Sequence, residues 1–235
     1  MSRSYARRRR SVSPVVVLVL LALAAYWAWT QYAPTTAEAE PDNVPAVISK
    51  ADARAALEHL ADLKIKGKSP LTGYDREGKF GESWADVDDN GCDTRNDILQ
   101  RDLVVTSDEG TCKVFAGTLV SPYTNETIDF QRGIDTSAEV QIDHVVALAN
   151  SWQTGAQKLS QGKRIALAND PLNLFAVDGA SNQQKGASDA ATWLPASKQF
   201  RCTYVAHQVE VKHKYKLWVT KAERNAIKRV LKTCD

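Results

Sequence analysis

The pattern of apolar positions divides the chain into three segments. An apolar run, residues 15–29, follows a head that holds five arginines among its first ten residues. Residues 30–43 contain prolines, threonines and acidic residues without an apolar period, which is typical of a flexible linker. Residues 44–235 show periodic apolar positions, and this length is sufficient for one domain with a buried core.

The first segment, residues 1–29, predicts export from the cytoplasm. A basic head before a short apolar run is typical of a signal peptide, whereas a membrane-spanning helix needs about 20 apolar residues. Mildly polar residues on both sides can lengthen the run to that size. The segment is therefore either a cleaved signal peptide or an uncleaved membrane anchor. In both cases the arginines stay in the cytoplasm, and the rest of the chain is secreted or tethered to the outer face of the cytoplasmic membrane.

Within residues 44–235 the apolar spacing predicts an α+β fold. Ser49, with Asp52 three residues later, begins a helix that carries an apolar stripe. Stretches of β-forming residues separated by turn residues predict a small antiparallel sheet, with strands at 103–106, 112–119 and 127–130. The sheet leads to a further strand, residues 140–144. Apolar residues at helical spacing after Phe200, and a capping box at Thr220 and Glu223, predict a C-terminal helix pair.

Polar residues capable of chemistry follow the last of these strands. Asp143 and His144 end it, and Asn173, Asn182 and Lys185 come later at spacings that are not a packing pattern. Adjacent residues on a strand point to opposite faces, so a bend is needed to bring Asp143 and His144 into one cavity. Carboxylate and amide oxygens suit Mg²⁺, and a histidine can accept a proton from an attacking water. Alternatively, both asparagines are turn or cap residues, because Asn hydrogen-bonds local backbone groups.

This set of residues resembles the His-Asn-His nucleases (HNH, ββα-metal or His-Me finger), and most closely their secreted actinobacterial branch. The resemblance covers residues 142–185 closely, and the flanks around Trp84 and Trp193 more loosely. Two features depart from the family pattern. The segment between His144 and Asn173 is long, and the last metal ligand is Asn rather than His.

The resemblance implies a role for each residue of the set. Asp143 and Asn182 would hold one divalent metal, and His144 would be the general base. Asn173 would orient this base and its loop, while Lys185 would either lie near the phosphate or brace the helix. The metal would be Mg²⁺, with Mn²⁺ or Ca²⁺ as alternatives.

The same resemblance implies a ββα-metal core at about residues 138–190, surrounded by the small sheet and the helices. We expect hydrolysis of nucleic-acid phosphodiester bonds, with DNA favoured over RNA as the substrate, although no residue pattern separates the two. No nucleotide cofactor is expected. The N-terminal segment would bind the membrane if it is not cleaved, and the sequence does not indicate an oligomeric state.

An acidic stretch before the core suggests a second interpretation. Asp86, Asp88 and Asn90, a following glycine, and Asp97 at the twelfth position match the spacing of a calcium-binding loop. The chain would then be a non-catalytic exported module that binds cell-surface polymers with calcium. Alternatively, this loop packs near the active site, where Arg95 can meet a phosphate.

Charge is distributed unevenly within the domain, although the chain has a formal net charge of only +2. Residues 198–235 hold ten Lys or Arg against three acids, whereas residues 44–197 hold fifteen against twenty-two. The basic C-terminal helices either guide a polyanion through phosphate contacts or form a solvated helical face.

The chain has four cysteines, and in an exported domain an even number favours disulfides. Three connectivities are open. We prefer the connectivity in which each disulfide joins neighbouring elements, Cys92–Cys112 and Cys202–Cys234. Each bond closes a loop and stabilises the fold by about 3 kcal/mol in the chain-entropy model. The spacing of the cysteines does not suit a zinc site.

Overall fold

The chain divides into two units, Met1–Glu40 and Pro41–Asp235. The computed structural model describes residues 48–133 and 136–234 of the second unit. In the first unit it describes three helical residues, Leu23, Ala24 and Trp27. The predicted signal peptide or anchor otherwise lies outside the described residues, as does the predicted linker. Within the described part of the chain, no helix has the length and apolar character needed to cross a membrane.

The second unit combines helices with two small antiparallel sheets, which confirms the predicted α+β fold. The first three strands form one sheet in chain order, and the last two pair with each other in the second sheet. In chain order the elements are α1 (Lys50–Asp62), α2 (Arg76–Phe80), α3 (Thr94–Asp102), β1 (Val104–Ser107), β2 (Ala116–Val120), β3 (Thr127–Gln131), β4 (Val140–His144), α4 (Leu148–Gln153), α5 (Gln161–Ala168), β5 (Leu174–Asp178), α6 (Gly179–Lys185), α7 (Arg201–Lys214) and α8 (Lys221–Leu231).

Capping boxes begin the two helices for which the sequence predicts them. The Ser49 side chain accepts a hydrogen bond from the Asp52 backbone N–H, and the Asp52 carboxylate accepts one from Ser49 in return. Thr220 and Glu223 form the same reciprocal pair at the start of α8. Because each box satisfies N–H groups that the helix cannot bond internally, these residues fix where α1 and α8 begin.

Strands β4 and β5 and helix α6 form a compact unit, here called the finger. Both strands are buried on both faces. Leu174 and Ala176 belong to the apolar cluster of α3 and the three-stranded sheet, whereas Phe175 and Val177 belong to the cluster formed by α1, α7 and α8. At Gly179 a Cβ atom would lie only 2.2 Å from the carbonyl oxygen of Ala138, so only glycine lets α6 begin this close to β4.

The C-terminal helix pair carries a buried ion pair. The Lys212 ammonium lies 2.6 Å from a carboxylate oxygen of Glu223, and both side chains are fully buried. Lys212 therefore cannot contact a polyanion, which removes one cation from the predicted basic face. Lys214 also has an acidic partner, since its ammonium lies 2.6 Å from the Asp170 carboxylate.

Two disulfides close loops in the second unit. Cys92 is bonded to Cys112, and Cys202 to Cys234, as the sequence predicts. The first joins the start of α3 to the segment that precedes β2. The second ties the start of α7 to the end of α8, so the helix pair is closed covalently at one end.

Candidate active site

A cleft of about 240 Å³ opens where the finger meets the segment that leads into α2. There is also a smaller recess, and His144 lines both cavities. The cleft is lined by Tyr74, Arg76, Asp143, His144, Leu148 and Asn182, among others. The structure therefore brings together three of the predicted site residues, Asp143, His144 and Asn182.

The tautomer of His144 is set by one hydrogen bond. Nε2 lies 2.8 Å from the carbonyl oxygen of Ala168 at the end of α5. A carbonyl oxygen can only accept, so Nε2 carries the proton and donates it. Nδ1 is then the nitrogen with the lone pair, and no described residue hydrogen-bonds to it. The neutral ring is therefore ready to accept a proton at Nδ1.

His144 is 7% exposed, and its surroundings disfavour the charged ring. Its pKa is lowered from 6.5 to about 3, mainly by burial. The hydrogen bond to Ala168 acts to raise the pKa, whereas the charges of Arg76 and Lys185 act to lower it further. Trp84 contributes to this burial, since its ring lies nearly parallel to the imidazole with 5.8 Å between centroids. His144 is consequently neutral at neutral pH in the protein alone.

Asp143 is buried and held by two side-chain donors, besides a backbone hydrogen bond from His144. The Lys185 ammonium lies 2.9 Å from Oδ1, and the Tyr123 hydroxyl donates to Oδ2. Burial raises the pKa of Asp143, whereas the Lys185 charge and the hydrogen bonds from Tyr123 and Lys185 act to lower it. Lys185 also donates to the His144 carbonyl at 2.8 Å, and so it ties α6 to the end of β4.

A chain of hydrogen bonds orients the amide of Asn182. Gln141 Nε2 donates to the Ala138 carbonyl at 3.2 Å, so Oε1 of Gln141 is its free acceptor. Asn182 Nδ2 donates to that oxygen at 2.8 Å. The Oδ1 atom of Asn182 is left without a hydrogen-bond donor among the described residues, and it can bind a cation in the cleft.

The donor set fits a hard divalent cation. Each carboxylate oxygen of Asp143 has two lone-pair sites, and Lys185 and Tyr123 occupy one on each oxygen. Asn182 Oδ1 adds a neutral oxygen beside the same cleft. Mg²⁺ requires only one or two protein oxygens, because water and substrate phosphate complete its coordination.

Asn173 holds the loop that follows His144. Its Oδ1 atom accepts from the Val146 N–H at 2.8 Å, and its backbone carbonyl accepts from the Val145 N–H at 2.8 Å. Its Nδ2 atom donates to the carbonyls of Val146 and Leu167. Asn173 is fully buried and does not line the cleft, so it acts on His144 only through the backbone.

Lys185 does not face the cleft. It is 1% exposed, and its ammonium is occupied by Asp143 and the His144 carbonyl. Of the two roles that the resemblance implies, this position favours bracing of the helix over contact with a phosphate.

Arg95 does not line the cleft. One of its terminal nitrogens donates to the Val140 carbonyl at the start of β4, four residues before His144. At about 3.3 Å per residue this is roughly 13 Å along the strand. The predicted contact between Arg95 and a phosphate at the active site is therefore not supported by its position.

The acidic loop is organised by hydrogen bonds. Asn90 donates to Asp88 and Asp97, and the carboxylate of Asp86 accepts from the Gly91 N–H. In the described part of the chain, no group of three or more His, Cys, Asp or Glu side chains is arranged to hold a metal ion. The calcium interpretation remains a sequence prediction without structural support.

Sequence reasoning did not assign a site role to Tyr123, Arg76 or Trp84. Tyr123 comes from the turn between β2 and β3, where the sequence signals only a change of direction. Arg76 and Trp84 come from a polar, turn-rich segment. The flank around Trp84 is part of the looser resemblance, but nothing local marks Tyr123 or Arg76, because their places in the site depend on the finger far along the chain.

Comparisons with known proteins extend this description. Residues 93–230 match the family model of GmrSD restriction endonucleases, C-terminal domain. A protein of Arthroderma benhamiae with the name "Uncharacterized secreted protein" is 34% identical over 201 residues, which cover 85% of this chain and 94% of the relative. No solved structure matches the chain.

The relative is fungal, so the predicted actinobacterial branch is not shown, and the HNH type remains a prediction. The family match spans more than half of the chain and contains the whole finger with Asp143, His144, Asn173, Asn182 and Lys185. The chain therefore belongs to the family of the GmrSD restriction endonuclease C-terminal domain.

Proposed function

We propose that this protein is an exported, metal-dependent HNH-type endonuclease that hydrolyses phosphodiester bonds of nucleic acid. The observation that carries the proposal is the convergence of Asp143, His144 and Asn182 on one cleft, with a lone-pair nitrogen and oriented oxygen donors. Membership of a restriction-endonuclease family supports nuclease chemistry. The name of the fungal relative supports export.

His144 acts as the general base. Nε2 is committed to the Ala168 carbonyl, so Nδ1 takes the proton from the water that attacks phosphorus. Asn173 holds the loop after His144 and so fixes the ring relative to the cleft. A pKa of about 3 makes His144 a weak base in the protein alone. An anionic phosphate beside the ring favours the imidazolium and raises its basicity when substrate is bound.

Asp143 and Asn182 would hold the divalent cation, with Mg²⁺ as the best fit and Mn²⁺ or Ca²⁺ as alternatives. When bound, such an ion polarises the phosphate and stabilises negative charge on the leaving oxygen. Lys185 and Tyr123 hold the Asp143 carboxylate in place through one hydrogen bond to each oxygen. They are positioning residues, because both are buried beneath the cleft.

The substrate that we propose is DNA, with RNA as the alternative, and cleavage of both is to be measured. The other candidate function is a calcium-dependent binding module that uses the acidic loop, in which Asn90 donates to Asp88 and Asp97. It predicts polymer binding without cleavage, so the same assay separates the two functions.

The test is a cleavage assay on supercoiled plasmid and on a labelled RNA. We expect cleavage with Mg²⁺ and none with EDTA. The His144→Ala variant should lose at least about 100-fold in rate, because the general base is gone. His59→Ala is the matched control, since this partly exposed histidine of α1 pairs with Glu210 away from the cleft.

Circular dichroism melts are needed to show that both variants fold. A folded His144→Ala variant that cuts as fast as the wild type would exclude His144 as the base. A wild type that cuts neither nucleic acid with any of the three cations would exclude the proposed function.

A further inference from the structure

Arg76 has a position in the cleft that the proposed mechanism does not use. It is the first residue of α2, and like His144 it lines both the cleft and the smaller recess. It lies outside residues 93–230, so the family match does not include it. The cleft is therefore completed by a segment that precedes the matched domain.

The guanidinium of Arg76 has no structural task that the described residues reveal. No described residue forms a hydrogen bond or an ion pair with it, and the side chain is exposed. Other arginines of the domain donate to backbone carbonyls and so hold segments together, as Arg101, Arg132 and Arg164 do. An arginine without such bonds at the wall of a cleft is free to bind a ligand.

The charge of the cleft favours an anion at Arg76. Among the described residues that line the larger cleft, Asp143 has the one carboxylate, and this group is already paired with Lys185. The positive charge of Arg76 is unpaired there. Glu82 lines only the smaller recess and forms no ion pair with Arg76.

We propose that Arg76 binds a phosphate of the nucleic-acid backbone as it enters the cleft beside His144. A guanidinium can donate two parallel hydrogen bonds to one phosphate, which fixes orientation as well as adding binding free energy. This inference rests on the proposed function and deepens it. It assigns a substrate-binding residue to a segment outside the finger.

The test measures binding in the absence of cleavage. The parent is the His144→Ala variant in EDTA, which binds without cutting. The dissociation constants of a fluorescent DNA duplex and of a fluorescent single strand are each measured between 50 and 200 mM salt. Arg76→Gln should weaken binding roughly tenfold, because one charged contact is lost. The slope of log K against log salt should fall by about 0.9 for the duplex or about 0.7 for the single strand.

Two further variants sharpen the test. Arg76→Lys keeps the charge but not the two parallel hydrogen bonds, so its salt slope should stay close to that of the parent while its affinity is intermediate. Arg54→Gln removes an exposed arginine of α1 that lines neither cavity, and both its affinity and its salt slope should be unchanged. All variants should melt within about 2 °C of their parent, as expected for exposed positions.

The outcomes separate this inference from the proposed function. If the wild type cleaves nucleic acid but Arg76→Gln binds with the parent's affinity and salt slope, the role of Arg76 is wrong and the nuclease stands. If Arg76→Gln leaves DNA binding unchanged but shifts the pH profile of cleavage, Arg76 acts only on His144. That result also overturns the proposal that Arg76 binds a phosphate. A wild type that neither binds nor cleaves would overturn both.

Discussion

The orientations of the His144 and Asn182 side chains depend on backbone carbonyls, which can only accept hydrogen bonds. The Ala168 carbonyl can only accept, so it sets the tautomer of His144. The Ala138 carbonyl accepts from Gln141 and so orients the Gln141 amide, whose oxygen in turn accepts from Asn182 and orients the Asn182 amide. Two backbone carbonyls therefore determine which nitrogen can accept a proton and which oxygen can bind a cation.

The ion pair of Lys185 and Asp143 yields a prediction about stability. Lys185→Met should lower the free energy of unfolding by about 3–5 kcal/mol, because it leaves the buried Asp143 carboxylate without its counter-charge. Urea unfolding in EDTA measures the effect. Lys228→Met, at an exposed lysine of α8, is the matched control and should change stability by less than about 0.5 kcal/mol.

A double variant tests the cause of that loss. Asp143→Asn combined with Lys185→Met removes both charges, so it should recover part of the stability that Lys185→Met alone loses. If Lys185→Met unfolds at the urea concentration of the wild type, the pair does not stabilise the finger.

Sequence reasoning reached the residues of the site but not their partners. Asp143, His144 and Asn182 stand out because their side chains suit a metal and a base, and they do line one cleft. Tyr123 and Arg76 do not stand out. Their places at the site depend on segments that are distant along the chain, and the local sequence pattern does not show which segments come together.

At the scale of elements, local signals predicted where most helices and strands lie. The second strand of the finger, β5, begins only at Leu174, because Pro171–Asn173 forms a 3₁₀ turn before it. This turn begins with Asp170, whose carboxylate accepts from the Leu172 N–H. Asp170-Pro171 is a local sequence signal for such a cap, with Asp at the cap position and Pro in the first turn.

The disulfide between α7 and α8 gives a prediction at this scale. Replacing Cys202 and Cys234 by serine opens a loop with a sequence separation of 32 residues. The free energy of unfolding should fall by about 3–4 kcal/mol in the chain-entropy model, which is about 10 °C in Tm for a domain of this size. Thermal melts in oxidising buffer measure the change.

Reduction of the wild type provides the control for the Cys202–Cys234 disulfide. A reducing agent should destabilise the wild type more than the Cys202→Ser/Cys234→Ser variant, because the variant retains only the Cys92–Cys112 bond. Equal melts of the wild type and the variant in oxidising buffer would show that the bond adds nothing to stability.

At the scale of the whole molecule, the apolar clusters bury ionisable groups outside the cleft as well as within it. His207 of α7 is a half-buried example. Its Nδ1 atom donates to the Leu172 carbonyl at 2.9 Å, and its ring meets the edge of Phe175 with 4.9 Å between centroids. Such burial favours the neutral ring, so the stability of the domain is coupled to pH.

We expect His207 to make the domain less stable in mild acid. Burial lowers its pKa below the ordinary value of 6.5, against the hydrogen bond to Leu172, which acts to raise it. Above pH 6.5 the residue is neutral in the folded and unfolded states alike. Below pH 6.5 the unfolded chain binds a proton that the folded chain does not, so the free energy of unfolding falls until the pH reaches the folded-state pKa.

The His207→Gln variant isolates this contribution. It should melt somewhat below the wild type at pH 7.5, because the contact with Phe175 is lost. Its Tm should then decrease less than that of the wild type between pH 7.5 and pH 5, because glutamine does not titrate. Melts at constant ionic strength in EDTA measure this difference without a contribution from bound metal. An equal decrease in both proteins would mean that His207 is not a source of the pH dependence.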